Sequence, residues 1–312
     1  MGLATTNARL AAAVLDSLEG SGLEFAVLHG EEAIAAGDVT SDLDVVVAIH
    51  PIAAVAQAAA QLESAGLFPV IVWDYDVGGT ATVLLATRDA SEGVQLDLMY
   101  DPSGRGKYGA RTGPMLASRV SGVRWPTVGD EHRIAYLIRK RHVKGDEGRL
   151  NVLLSEARQI FQPQFMTLVR ETFSRRVADS IQDLVDGRGS ARRVPYPGGY
   201  RFRNAWRRAK RILHPTGFWV EIADESAAEA VVEVAERFKR FLPAVAVGVR
   251  PSGLLARIGW ILSTVAPVRW RAGVYLSGGF GWPRGDLRLA ALGDLDILCS
   301  QIVHGMNTRL RP

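Results

Sequence analysis

The stretch Ser41-Asp42-Leu43-Asp44-Val45-Val46-Val47 constrains this chain more than any other. The valines after Asp44 predict a buried strand over Leu43 to Ile49. Side chains alternate along a strand, so Asp42 and Asp44 point to one face at its start. Two carboxylates held this close repel one another, and such a pair persists when a cation sits between them. Oxygen donors alone select a hard ion, Mg²⁺ or Mn²⁺. A third acid, Asp97, interrupts the apolar run Val94-Gln95-Leu96-Asp97-Leu98-Met99-Tyr100. An ionised carboxylate inside a strand is costly unless it is paired or metal-bound. If this strand lies beside Leu43 to Ile49, Asp97 joins Asp42 and Asp44, and three acids there form a two-metal site.

The surrounding pattern predicts a mixed α/β domain over residues 1–125. An Ala/Leu-rich helix runs from Thr5 to Gly20, and a short strand from Glu24 to His29 stops at Gly30. Pro51 opens a second helix that ends near Gly66. Strands Phe68 to Asp74 and Thr80 to Thr87 are joined by Asp76-Val77-Gly78-Gly79, which is hairpin chemistry. Residues 126–187 read as a helical domain, with an amphipathic basic helix over Glu131 to Val143. Residues 188–214 read as a basic linker. Residues 215–312 read as a small α/β unit, with a strand over Phe218 to Ala223 followed by a helix with an acidic face. A length of 312 residues agrees with about two domains at roughly 100–200 residues each.

Composition narrows the classes. Hydrophobic residues at 47% and charged residues at 22% exclude a disordered chain. One cysteine, Cys299, excludes an internal disulfide framework and a multi-cysteine metal site, and it suits a reducing compartment. No basic patch precedes an apolar run at the N-terminus, and Ile258 to Val268 is too short to span a bilayer. The expectation is a cytoplasmic protein with no membrane span. The net charge of +4 is mild. Basic residues nevertheless crowd Arg192 to Arg211, as a solvated linker or as a grip on a nucleic-acid backbone.

Together, Leu28-His29-Gly30, Ser41-Asp42-Leu43-Asp44 and Asp97 resemble the DNA polymerase β-like nucleotidyltransferase superfamily. In that superfamily a Gly-Gly or Gly-Ser turn after a strand precedes a paired-carboxylate motif, with a third acid on a later strand. The resemblance implies transfer of a nucleoside monophosphate from a nucleoside triphosphate to a hydroxyl or phosphate, with Mg²⁺ or Mn²⁺. It implies that Asp42 and Asp44 bind metal, and that Asp97 helps hold the catalytic metal and activates the acceptor. Gly30 and Ser41 would then lie against the nucleotide. Lys140 and Lys144, four residues apart on one helix face, would point to the triphosphate. Position 31 departs from the pattern: Glu31 stands where the superfamily has Ser or Gly, and an acid there repels phosphate unless it points away. The acceptor is open between a small molecule, a glycan precursor and RNA, the last in the manner of a toxin.

The order of parts also resembles bacterial fusions of such a domain to a thymidylate-kinase-like domain, often found near surface-polysaccharide genes. In those proteins the strand after Pro-Thr-Gly leads into a Walker A loop. Here it leads into Glu221-Ile222-Ala223-Asp224-Glu225-Ser226-Ala227-Ala228-Glu229, without Gly or Lys. That segment lacks a phosphate cradle, so the kinase-like part would be degenerate. A catalytically inactive nucleotidyltransferase-like scaffold is the alternative to an enzyme. Arg105, Lys107 and Arg111 are candidate anion contacts, and His29 stands beside the acids. Asp294-Leu295-Asp296 repeats the acid spacing without the glycine turn.

Overall fold

The computed structural model describes residues 2–38, 43–74, 76–160, 162–188, 196–213, 217–222, 228–242, 244–249, 251, 253–270, 274–278, 286–289 and 295–310. Ser41 and Asp42 lie outside them, as do Asp294 and residues 223–227. The fold is mixed α/β with two sheets. The first part runs α1 (Gly2–Gly20), β1 (Phe25–Val27), α2 (Glu31–Ala35), β2 (Leu43–Val47), α3 (Pro51–Ser64), β3 (Leu67–Asp74), β4 (Ala81–Thr87) and β5 (Gly93–Met99). It continues through α4 (Thr112–Ala117), β6 (Val120–Ser121) and β7 (Pro126–Thr127). These strands make one seven-stranded sheet in the order β3-β4-β5-β2-β1-β7-β6. Strand β2 runs antiparallel to β1 and parallel to β5. The sheet therefore extends slightly past the predicted boundary at residue 125.

Alternation on β2 decides what faces where. Leu43, Val45 and Val47 pack with Val14, Leu15 and Leu18 of α1 and Ala54 and Ala58 of α3. Val46 packs on the other face, in a core with Met115, Ile138 and Phe165. On β5, Leu96 and Leu98 belong to the first core and Met99 to the second. Asp44 and Asp97, at the alternate positions, thus point to the second face.

Helix α4 covers that second face together with α5 (Asp130–Lys144), α6 (Glu147–Gln159), α7 (Gln162–Thr172) and α8 (Arg175–Val185). Helix α5 has Asp130 and Glu131 in its first turn and Arg141, His142 and Lys144 in its last. This matches the helix dipole at about 0.3–1 kcal/mol per favourable charge. Gly145, at φ 70°, ends the helix in the left-handed conformation that glycine adopts without a Cβ penalty. The Asp146 carboxylate then accepts the Arg149 amide and starts α6.

The stretch read as a basic linker contains a helix, α9 (Tyr200–Leu213). The Gly and Pro signals that suggested a linker stop at Gly199, and beyond them Arg, Lys and Ala favour helix. Tyr200 is buried, and Arg203 donates to the carbonyls of Gly198 (2.8 Å) and Arg105 (3.1 Å). These contacts dock α9 against the first domain.

The C-terminal unit comprises β8 (Phe218–Ile222), α10 (Ala228–Lys239), β9 (Val245–Val249), α11 (Leu254–Trp260), a π-helical turn (Ile261–Val265) and α12 (Ala266–Trp270). It ends with β10 (Val274–Gly278), β11 (Leu287–Leu289) and α13 (Leu295–Leu310). Its four strands are parallel in the order β11-β8-β10-β9, the small α/β unit expected from the sequence. The unit shares a core with the first sheet. Phe68, Ile71 and Leu84 of β3 and β4 pack with Phe218, Phe238, Cys299 and Ile302. Asp296 is engaged by Arg237 at 2.6 Å, a surface ion pair. Among the described residues, no helix is long and apolar enough to cross a membrane.

Candidate active site

Asp44 and Asp97 are direct partners in the parallel register of β2 and β5. They are therefore strand neighbours on one face, beneath α5. Asp44 is 2% exposed, and Asp97 is half-buried. Asp97 Oδ1 accepts hydrogen bonds from its cross-strand neighbour Thr82 (2.7 Å) and from Gln95 Nε2 (3.1 Å).

The cation beside Asp44 is a lysine. Lys140 Nζ lies 2.5 Å from Asp44 Oδ2, and His29 Nε2 lies 2.7 Å from the same oxygen. Burial alone would raise the Asp44 pKa. The His29 hydrogen bond and the Lys140 charge outweigh burial and hold it at about 2. Helix α5 thus delivers a counter-ion to Asp44, whose expected partner Asp42 lies outside the described residues. Both partners sit on Oδ2, and among the described residues Oδ1 has none. Lys144, one turn after Lys140, is exposed at the helix end.

Gly30 closes β1 at φ 85° and is the N-cap of α2. A side chain there would strain the left-handed backbone by about 1–2 kcal/mol. This sharp turn directs Glu31 away from the acids. The Glu31 carboxylate is 3% exposed and accepts the amides of Val123 (3.2 Å), Arg124 (2.6 Å) and Trp125 (3.1 Å). Its charge ties α2 to the β6–β7 turn instead of facing the turn at Gly30. Glu31→Gln would set an NH₂ group against one of these amide donors. The expected loss is about 1–2 kcal/mol, read from urea unfolding. An unchanged midpoint would show that the tie is not needed.

The segment between β5 and α4 forms the site's rim. Asp101 accepts the amides of Arg105 (3.0 Å) and Gly106 (2.7 Å), and Asp76 accepts that of Lys107 (2.5 Å). Burial raises the pKa of both carboxylates, and for Asp76 the charge of Asp101 adds to the effect. These amides are bound to carboxylates, so they do not form a phosphate nest. Tyr108 follows, and its pKa is pushed up to about 12 by burial and then by the charges of Asp44, Asp76 and Asp97. Arg139, fully buried on α5, donates to the Tyr108 carbonyl at 3.1 Å and holds the rim against the helix. Arg111, a candidate anion contact, instead donates to the carbonyls of Arg170 (3.0 Å) and Phe173 (3.3 Å).

The site gathers Asp44, Asp97, Lys140 and His29, with Gly30 at the turn between β1 and α2. Ser41 and Asp42 fall outside the described residues. Thr82, Tyr108 and Asp76 were not singled out for this site from the sequence. Thr82 was legible in principle, as a polar position on the predicted strand Thr80 to Thr87. Tyr108 and Asp76 are brought together by a long-range contact, Asp76 with the Lys107 amide, that local turn chemistry does not reveal. Among the described residues, no cluster of three or more metal-ligating side chains is found. Asp44 and Asp97 are hard oxygen donors of the kind Mg²⁺ takes, and a bound ion would share Asp44 with Lys140. No protein-family model matches the chain, and no curated protein matches it, so the chemistry of the site rests on its own residues.

Proposed function

We propose that the protein transfers a nucleoside monophosphate from a nucleoside triphosphate to an acceptor hydroxyl or phosphate, with Mg²⁺ or Mn²⁺. The observation that carries this is the register match of Asp44 and Asp97 on adjacent parallel strands that come after the Gly30 turn in the chain. That is the order of turn and acids that the superfamily resemblance implies. Glu31, the one departure from its pattern, is turned away from the acids.

Asp44 and Asp97 would hold the metal, with Asp42 as the third acid implied by the sequence. The bound metal would neutralise phosphate charge and lower the pKa of the acceptor hydroxyl. Gly30 lets backbone approach the triphosphate, and Lys140 supplies positive charge within the site. Asp97 takes the acceptor proton. The acceptor oxygen bonds to the α-phosphorus, the bond from that phosphorus to the α–β bridging oxygen breaks, and pyrophosphate leaves with the electron pair.

One observation favours a second reading. Lys140 already neutralises Asp44 and His29 hydrogen-bonds the same oxygen, as they would in an inactive scaffold that kept the fold. Label transfer decides between them. The full chain is incubated with Mg²⁺, each labelled nucleoside triphosphate, and small-molecule, glycan-precursor and RNA acceptors. Metal-dependent transfer of label supports the enzyme. Failure with every pair supports the scaffold.

A further inference from the structure

Helix α9 carries six Lys and Arg residues and no acid over 14 positions. Its outward face bears Phe202, 78% exposed, and Trp206, 69% exposed, one helical turn apart. Among the described residues, nothing covers these two rings. Beside them lie two clefts. One, of ≈ 570 Å³, is lined by Tyr196, Tyr200, Arg201, Asn204 and Arg208 among others. The other, of ≈ 510 Å³, shares Tyr196, Tyr200 and Arg201 and adds Phe202 and Arg176. Tyr196 and Tyr200 stack at 5.1 Å with 13° between their planes, and the Arg201 guanidinium sits over the Tyr196 ring.

The helix is connected to the acids. Burial and then the charge of Asp76 raise the Tyr200 pKa, and Asp76 accepts the amide of Lys107, next to Tyr108. Arg207 donates to the Asp74 carbonyl at the end of β3. Helix α9, with its clefts, is thus fastened to the rim segment that precedes Tyr108.

We infer that α9 and the Tyr196–Tyr200 clefts bind a single-stranded polynucleotide, the acceptor whose end enters the site. Aromatic faces and arginines in alternation suit unpaired bases and the phosphates between them. In a duplex the base faces are stacked and hidden from Phe202 and Trp206. An anionic bilayer would also meet a basic, aromatic helix, but it has no use for concave clefts lined by stacked tyrosines and an asparagine. The inference rests on the nucleotidyl-transfer reading for the fate of the strand's end, where the terminal hydroxyl is the acceptor and pyrophosphate leaves.

The test is fluorescence anisotropy of a 5′-labelled RNA of about 12 nucleotides and mixed sequence against the full chain. The variants are Phe202→Ala/Trp206→Ala and Arg201→Glu/Arg208→Glu. All four positions are exposed, and unchanged melting confirms that both variants fold. Expected is RNA binding that weakens steeply with salt, a loss of about tenfold or more in the aromatic variant, and a shallower salt dependence in the arginine variant. No binding by the wild type, or equal binding by all three proteins, overturns the inference. So does sedimentation with phosphatidylglycerol vesicles that needs Phe202 and Trp206 while RNA binding does not. RNA binding that depends on these residues, without label transfer to any acceptor, supports the binding surface and sinks the transferase reading. Transfer to a small molecule with no RNA binding sinks the surface and leaves the transferase.

Discussion

Asp44→Asn is expected to destabilise the protein by about 3 kcal/mol. Its carboxylate and the Lys140 ammonium are 3% and 10% exposed, with 2.5 Å between them. Removing one partner of a buried pair leaves the other charge without compensation, which costs about 3–5 kcal/mol. Asparagine keeps an oxygen that can accept from His29 or Lys140, which places the loss at the lower end. Sequence reasoning alone gives the opposite sign, because relieving repulsion between acids would leave stability unchanged or slightly raised. Urea unfolding at neutral pH decides the sign. A second variant keeps the argument open to test: Asp44→Asn/Lys140→Met removes both charges and should recover part of the loss. If the double variant is no more stable than Asp44→Asn, the Lys140 charge is not the cause.

The pH dependence has a defined sign. The folded-state pKa of Asp44 is about 2, below its unfolded value near 3.8. Its contribution is therefore present above pH 3.8 and is lost as pH falls through the folded value. The stability gap between wild type and Asp44→Asn should narrow as pH falls from about 4 towards 2. Asp76 and Asp101 act in the opposite sense. Their folded pKa values are raised, so their contribution is present below the unfolded pKa and declines as pH rises through the folded one. A gap that stays constant down to pH 2 would contradict the ion-pair account.

Asp97→Asn is expected to cut label transfer by about 10²–10⁴-fold, the usual contribution of a positioned base. Its effect on stability should stay within about 1 kcal/mol, because the side chain is half-buried and asparagine retains an acceptor for Thr82 and Gln95. The separation between the two effects is the point. A structural residue would lose stability and activity together. Single-turnover label transfer and melting, measured on the same preparation, test this. Equal transfer rates in wild type and Asp97→Asn would remove Asp97 from the chemistry.

The sequence was legible where a local period sets the structure. Alternation along Leu43 to Val47 predicts which side chains share a face, and Asp97 falls beside Asp44 as that pattern requires. The hairpin at Asp76 to Gly79 and the helices after Pro51 and Asp130 follow from turn and cap chemistry. Lys140 shows the limit. Helical spacing places it on a face with Lys144, but only the packing of α5 on the sheet sends one lysine to Asp44 and leaves the other exposed. Glu31 shows it again, since its partners lie more than 90 residues away in the chain. Helix α9 was hidden because its arginines look solvated in sequence, whereas Arg203 and Arg207 turn inward to carbonyls.

The core shared by the β3–β4 hairpin and the C-terminal unit contains the chain's only thiol. Cys299 is fully buried there, and burial pushes its pKa up to about 11. A thiol so placed is chemically silent at neutral pH while that core stays closed, since thiolate and access are both needed for reaction. Its rate of alkylation is thus a clock for separation of the two sheets, native to the chain and distant in sequence from the acids on β2 and β5. Local opening at that seam and global unfolding can be told apart by whether the clock runs ahead of the melting transition.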